Sequence, residues 1–381
     1  MKILHLSDLH IGKKIFDRSL LEDQRYVLNQ ALQLIDLEKI DLVIISGDIF
    51  DTSIASAEAI KVYGEFTNSL IFEKKVKVVA IAGNHDSSVR LQSDNLMKEN
   101  VGYFIRGELK GKVDRITLKD EYGEIDFYPI PYLDPIYAKN TIDESIKNYD
   151  DIYKYLLENI DFREKIRSVC LAHAFVTASK KLEDKEKLMD EVDERDRYQI
   201  KMMVAGQEAV RSSYFEKFSY TGLGHIHRSY RISDNIYYCG SLLKYDFAEV
   251  GQTKHFQIVN IGKKNTEIKK IPVEPMREMK IYSDYFDNFI KDYDFDDSYI
   301  MVELLDYSPK THAKEKLNTI FPNLLKISYK NLTIETKSKK VDLDKLTFEE
   351  VIEAFYRDKL DRNLDEDERE IVNYVQNMRD R

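Results

Sequence analysis

Five short, mainly apolar runs in this chain each break off into a loop carrying residues of the kind that bind metal ions. Ile3-Leu4-His5-Leu6 leads to Asp8 and His10, and Leu42-Val43-Ile44-Ile45 leads to Asp48. Val76-Lys77-Val78-Val79-Ala80-Ile81 leads to Asn84 and His85. Ser168-Val169-Cys170-Leu171-Ala172 leads to His173, and Tyr220-Thr221-Gly222-Leu223-Gly224 to His225 and His227. Such near-continuous runs read as strands covered on both faces. Helical patterns separate the first three. One has Leu28, Leu32 and Ile35 at helical spacing behind a capping-box pattern, Ser19-Leu20-Leu21-Glu22, and the other spans about 55–70. A β-α-β-α-β alternation implies a parallel sheet with crossover helices. Ligands gather outside the carboxyl ends of such strands, so the five loops are expected at one sheet edge.

The histidines follow the same logic. The chain has eight, and five of them lie in these loops. His5 lies inside the first run and reads as a core residue, while His255 and His312 read as surface residues. Asp8 and His10, two apart, point the same way if the backbone stays extended, offering an oxygen and a nitrogen to one divalent ion. A single ion needs three or four ligands, and seven are present beside His85, which points to two metals. Asp48 is the natural shared carboxylate for two cations about 3.5–4 Å apart. Asp8, His10 and His227 are assigned to the first metal, and Asn84, His173 and His225 to the second. A mixed oxygen and nitrogen set without thiolate suits Mn2+ best, with Fe, Mg2+ and Zn2+ as alternatives. Such a pair activates a bridging water and stabilises charge on a phosphoryl oxygen. His85 is placed to face the leaving oxygen as general acid or transition-state stabiliser. Asp51 and Asp86 are expected behind the ligands, Asp86 either orienting the His85 ring or, preferentially, capping the next helix.

With 381 residues, 43% hydrophobic, the chain can bury one large domain and one or two small ones. No apolar run approaches the ~20 residues of a membrane span. Met1-Lys2 runs straight into the first strand, unlike a signal peptide. Two cysteines in unrelated contexts, Cys170 and Cys239, fit a reducing cytoplasm and suggest neither a disulfide framework nor a zinc knuckle. A net charge of −10 argues against indiscriminate nucleic-acid coating but leaves a nuclease open, because metals and a local basic rim can neutralise phosphates.

Residues 101–135 read as further strands broken by Pro129, Pro131 and Pro135, residues 143–166 as helix, and 236–239 as another strand. The charge-dense stretch 180–197 reads as a solvated insertion. After Pro272 and Pro275, segments 279–282, 286–290, 299–305, 313–320 and 325–329 suggest a small β-α-β-α-β module. A polar linker, 337–345, leads to two amphipathic helices. The first places Phe348, Ile352 and Phe355 on one face. The second starts near Asp365 and places Ile371, Val375 and Met378 on one face.

Asp8-Leu9-His10, Gly47-Asp48-Ile49-Phe50-Asp51, Gly83-Asn84-His85-Asp86, His173 and Gly224-His225-Ile226-His227 together resemble the calcineurin-like metallophosphoesterase signature. Asp8-Leu9-His10-Ile11-Gly12-Lys13, the Ser87 and Arg90-Leu91 that follow Asp86, and the ending in a small module and helical pair are similar to the SbcD-type nuclease subunits of SbcCD complexes. The resemblance covers essentially the whole chain. It implies an α/β fold with a metallophosphoesterase β-sandwich core flanked by helices over residues 1–274. A small α+β capping domain over 275–336 and a linker with C-terminal helices over 337–381 would follow. It further implies a Mn2+-dependent DNA nuclease, acting as double-strand exonuclease with an SbcC-like ATPase partner and as single-strand and hairpin endonuclease. Homodimers through helices near 55–66 and 91–98 are also implied. The terminal helices, too small for a core of their own, either pack back on the main domain or receive the base of the partner's coiled coil. Ala174, where the family more often has glycine, and the 180–197 stretch depart from its pattern without touching a ligand. Lys13, Lys14, Arg18, Arg90 and Arg228 lie near the motifs and could line a DNA path, or be ordinary solvated cations. Two other readings stand beside the nuclease: a phosphomonoesterase or cyclic-nucleotide phosphodiesterase on the same fold, and a non-catalytic scaffold.

Overall fold

Alternate residues of the first strands face two different buried surfaces, and this alternation sets the layers of the molecule. The computed structural model describes residues 1–178 and 209–331, and positions 353, 356, 363–365, 368, 369 and 372. The expected insertion and the six apolar residues of the terminal helices, Phe348 to Met378, lie outside the described residues.

In chain order come β1 (Lys2–Leu6), a small hairpin of β2 (Lys14–Ile15) and β3 (Arg18–Ser19), α1 (Leu21–Glu38) and β4 (Leu42–Ser46). α2 (Ala57–Asn68) continues into a π-helical turn, Ser69–Glu73, ahead of β5 (Lys77–Ile81). α3 (Ser88–Gln92) and α4 (Asn95–Asn100) precede β6 (Tyr103–Arg106). Then follow β7 (Ile116–Asp120), β8 (Gly123–Ile130), α5 (Pro135–Thr141), α6 (Tyr149–Glu158), β9 (Arg167–His173), β10 (Val176–Thr177) and β11 (Val210–Arg211). β12 (Tyr220–Gly224), β13 (Tyr230–Ser233), β14 (Ile236–Tyr238), β15 (His255–Ile261) and β16 (Thr266–Pro272) complete the large sheets.

One six-stranded sheet has the order β16-β15-β1-β4-β5-β6, and a second has β13-β14-β12-β9-β8-β7. β1, β4, β5 and β6 run parallel, as do β8, β9, β12 and β14. Ile3, Leu42, Ile44, Val79 and Ile81 pack with Ile125, Phe127, Val169, Leu171 and Tyr220 between the sheets. Their neighbours Leu4, Leu6, Val43, Ile45, Val78 and Ala80 face the other way, into a cluster with Val27, Leu28, Ala31 and Ile35 of α1 and Val62 and Phe66 of α2. On the far side, Tyr128, Ile130, Cys170 and Ala172 pack with Ile152, Tyr153 and Leu156 of α6. The result is a β-sandwich with helices on both outer faces.

Several sequence expectations need correction. The capping box does not form: Leu20, not Ser19, is the N-cap residue, and the Ser19 Oγ accepts instead from the Leu21 N–H at 3.4 Å, with Ser19 itself paired in the β2–β3 hairpin. Pro129 does not break its strand. It lies in β8 opposite Leu171, beyond the end of the β7 pairing at Phe127, on an edge where no ladder donor is required. Helix in the 143–166 stretch is confined to α6, capped by the Asn148 side chain, which accepts from the Asp151 N–H at 2.9 Å.

The small module alternates strand and helix as expected: β17 (Met279–Asp284), α7 (Phe286–Asp292), β18 (Tyr299–Leu304), α8 (Ala313–Asn318) and β19 (Leu324–Tyr329), in sheet order β17-β18-β19. It is tied to α1, where buried Asp23 accepts from Arg277 at 3.0 Å and from the Tyr299 hydroxyl at 2.8 Å. One compact unit holds residues 1–305 and 310–328; residues 306–309 and 329–381 form the second. In the second, Asp365 and Glu368 exchange side-chain to backbone hydrogen bonds at 2.9 and 3.0 Å, a reciprocal cap at the position expected for the start of the last helix.

Candidate metal centre

The strand-end loops meet because their backbones bond to each other. The Asp8 and His10 N–H groups donate to the carbonyls of Gly47 and Asp48, each at 3.0 Å, and Ile11 N–H donates to Ile49 at 2.9 Å. Asp8, His10, Asp48 and His225 all have left-handed φ values, 51°, 43°, 49° and 97°. The extended backbone expected between Asp8 and His10 is therefore absent; a coiled loop makes the two side chains converge. Strained backbone of this kind persists only where surrounding contacts impose it. Glycines permit the close approach. A Cβ on Gly83 would stand 2.2 Å from Asp48 Oδ1, and one on Gly224 would stand 2.0 Å from the Ser46 carbonyl.

The loops belong to two sheets, β1, β4 and β5 of one and β9 and β12 of the other, so the site spans the end of the sandwich rather than one sheet edge. Asp8, His10 and His227 form one compact donor group, and Asp8, Asp48 and His173 another. His10, Asp51 and His85 make a third. Nε2 of His10 and Nε2 of His227 lie 3.1 Å apart, and Asp48 Oδ2 is 3.6 Å from the former and 3.3 Å from His173 Nε2. Asn84 Oδ1 lies 3.0 Å from His173 Nε2 and 3.1 Å from His225 Nδ1. All seven residues expected as ligands are thus brought together; Asp8 is common to two of the groups, and Asp48 Oδ2 stands between His10 of one and His173 of the other.

The second ring nitrogens fix how the imidazoles face. His173 Nδ1–H donates to the Ser46 carbonyl at 2.8 Å, leaving Nε2 toward Asp48 and Asn84. His227 Nδ1 meets Glu249 Oε1 at 3.0 Å. His10 Nδ1 is buried 3.3 Å from Asp51 Oδ1, out of line for a hydrogen bond. Ring nitrogens and carboxylates facing a common space, with groups behind the His10, His173 and His227 rings, fit divalent cations. Burial opposes charge on Asp48 and on His173, yet the two hold each other charged: Asp48 lies below the usual carboxylate range and His173 is raised to about 9. Burial, helped by the charge of His173, lowers His225 to about 4, and burial lowers His10.

Asp86 neither caps the following helix nor touches the His85 ring. Its carboxylate accepts from the N–H groups of Ile49, Phe50 and Gly83 at 3.0, 2.8 and 2.9 Å, latching the second loop to the third. The helix there starts after Ser87 with no side-chain cap. His85 is exposed; its Nδ1 donates to the Asp51 carbonyl at 2.8 Å and its N–H to Asp48 Oδ1 at 2.9 Å. Lys13 pairs with Asp51 at 2.9 Å. Lys14 and Arg18 are exposed on the small hairpin, with Arg18 donating to the Pro322 carbonyl at 3.3 Å. Exposed Arg90 donates to the Ser53 carbonyl at 3.2 Å, and Arg228 is half-buried beside His227 in the chain. His5 is a core residue, bonded to Tyr220 and Ser46, and burial lowers it to about 3. His312 is exposed and His255 half-buried.

Four supporting residues escaped sequence reading. The Gln24 amide holds the Leu9 and His10 carbonyls at 3.2 and 2.7 Å, and the Tyr245 hydroxyl also donates to Leu9. Glu249 and Lys254 stand behind His227. Gln24 had a readable signal, a polar residue on the buried stripe of α1; the other three had none.

Residues 1–229 match the calcineurin-like phosphoesterase family. The chain belongs to that family. As in the other calcineurin-like phosphoesterases, divalent metals are the working ions, and the clusters around Asp48 are their candidate site. Residues 275–359 match the type 5 capsule protein repressor C-terminal domain. This phosphoesterase is 29% identical over 375 residues to SbcD, the nuclease subunit of SbcCD, of Staphylococcus epidermidis, covering 96% of this chain and 95% of that protein. The likeness to SbcD read from the motifs therefore extends over nearly the whole chain, and the enzyme is a metal-dependent phosphodiesterase. The crystal structure of the Thermus thermophilus protein TT1561 overlaps with a TM-score of 0.39 at 9% identity, over 71% of this chain and 98% of that one, too loosely to bear on function.

Proposed function

We propose that this chain is a two-metal DNA nuclease subunit that hydrolyses phosphodiesters in DNA repair, recombination and replication. With an SbcC-like ATPase it acts as a double-strand exonuclease, and it cuts single strands and hairpins as an endonuclease. The observation that carries this reading is the convergence of seven oxygen and nitrogen donor residues, Asp48 among them, in a chain similar throughout to a nuclease subunit. Asp8, His10 and His227 would hold the first ion, Asn84, His173 and His225 the second, with Asp48 as the carboxylate shared by both. Mn2+ suits this donor set best. When bound, such a pair supplies Lewis-acid charge for the phosphoryl oxygens and lowers the pKa of water. In its doubly protonated form His85 keeps one proton, on Nδ1, on the Asp51 carbonyl and has the second on Nε2, from where it can protonate or stabilise the leaving oxygen. Lys14, Arg18, Arg90 and Arg228 line the DNA path; Lys13 serves Asp51 instead.

The match over residues 275–359 and the SbcCD name of the relative support a partner ATPase bound through the C-terminal helices. Homodimerisation through α2 and the α3–α4 region is supported by the exposure of Ile60, Leu96 and Met97 there. Among the described residues no helix is long and apolar enough to cross a membrane, and both cysteines are buried free thiols, in keeping with a cytoplasmic enzyme. The test is a substrate panel with added Mn2+, comparing hairpin and single-stranded DNA with small phosphate monoesters and cyclic nucleotides. DNA cleavage that disappears in Asp48→Asn protein is expected. Turnover of the small esters alone would overturn the assignment.

A further inference from the structure

Of the imidazoles around Asp48, His227 alone is backed by a buried ion pair among the described residues. Glu249 Oε1 meets His227 Nδ1 at 3.0 Å, and Glu249 Oε2 lies 2.6 Å from Lys254 Nζ. Both side chains are almost fully buried, 7% and 6% exposed. Lys254 directs its remaining protons to the His227 carbonyl at 2.9 Å and to Gln252 at 3.0 Å. Glu249 is presented by a 3-10 turn, Phe247–Glu249, that the Asp246 side chain caps by accepting from Ala248 N–H at 2.8 Å. A buried ion pair is costly to desolvate, and apolar residues of similar volume would often stabilise the fold as well. The pair therefore calls for a purpose beyond stability.

We infer that Glu249 is the positioning residue of the first metal position, with Lys254 as its counter-charge. The inference rests on the reading of Asp8, His10 and His227 as metal ligands. Glu249 holds the His227 proton on Nδ1, so that the Nε2 lone pair faces His10 and Asp8. Its negative charge makes that nitrogen a stronger donor. Lys254 pairs with Glu249 and clamps the His227 main chain, so ring and backbone are held by one unit. Among the described residues the second position shows no equivalent ion pair: His173 is backed by the neutral Ser46 carbonyl. Disturbing Glu249 should thus act on one ion and spare the other.

The experiment titrates the full chain with Mn2+, following heat by calorimetry and the metal by electron paramagnetic resonance. Wild type is expected to bind two ions and give the spectrum of a coupled pair. Glu249→Ala should weaken one site by about 10–100-fold, the range for loss of a group behind a metal ligand, and leave the other unchanged. At limiting Mn2+ it then shows the signal of an isolated ion. Glu249→Gln, whose amide oxygen can still accept from Nδ1, should lose less. If Glu249→Ala does not fold because Lys254 is left unpaired, Glu249→Ala with Lys254→Met removes both charges and carries the same expectation. Two undiminished sites in folded Glu249→Ala protein, or equal weakening of both, overturns the inference. Absence of Mn2+ binding in wild type, or two intact sites in His227→Ala, would instead overturn the underlying assignment of the ligands.

Discussion

His85 is exposed, whereas His10, whose ring it meets edge to face, is buried. His85 follows Asn84 directly, yet its Nδ1 rests on the Asp51 carbonyl, outside the seven residues read as ligands. A group that handles a proton without holding an ion should be separable from the ligands. His85→Ala is expected to retain its full Mn2+ stoichiometry while cleavage falls by about 10²–10⁴-fold, the usual contribution of a positioned acid or base. Loss of metal together with activity would make His85 a ligand and sink its separate role. His10→Ala should behave in the opposite way, emptying the first position in preference to the second. Asp86 marks the limit of motif reading. Its place in Gly83-Asn84-His85-Asp86 suggests a cap, but three N–H groups from two loops converge on it, and burial pushes its carboxyl up to about 6 despite them. Two of those donors, Ile49 and Phe50, stand 37 and 36 positions earlier, and the third belongs to the local turn. Nothing in the four-residue motif therefore distinguishes a cap from a latch.

At the scale of elements, strands were legible wherever apolar residues ran on without interruption, because burial on both faces needs no partner to be named. Edges and termini were less legible. Whether Pro129 ends β8 depends on where β7 stops, and whether Ser19 caps α1 depends on its hairpin partner Lys14. Element ends also carry the charges that respond to acid. Asp120 closes β7, and Arg167 at the start of β9 grips both its oxygens, at 2.5 and 2.9 Å, with each side chain 11% exposed. The Arg167 hydrogen bond holds the Asp120 carboxyl below the ordinary carboxylate value. A group depressed in the folded state adds stability that is complete above its unfolded pKa, about 3.9, and is lost as the pH falls through the folded value. Thermal melts of Asp120→Asn protein are therefore expected to lie a few degrees below wild type at pH 7 and to close that gap below about pH 4. A gap that stays constant down to about pH 3 would show that Asp120 acts by packing rather than by charge.

For the whole molecule, the next question is what the exposed surfaces meet. Leu96 and Met97 of α4 are 80% and 72% exposed, and Ile60 of α2 is 56% exposed. If these surfaces join two copies, Leu96→Glu with Met97→Glu should shift sedimentation from dimer to monomer while leaving Mn2+ binding intact; an unchanged dimer would place the interface elsewhere. Local patterns along the chain specify the parallel β-α-β core, the seven candidate donors and the β-α-β-α-β module. Each of these is written in a local code, an apolar run followed by a few polar residues at its end. That the donors come from two sheets facing each other is set by the packing of the whole chain. The tertiary structure also decided that Asp8 and His10 converge through left-handed backbone, and that a glutamate and a lysine, Glu249 and Lys254, stand behind His227. Those arrangements depend on hydrogen bonds and packing between residues tens to hundreds of positions apart. Pairings of that kind leave no period or spacing in the sequence to read.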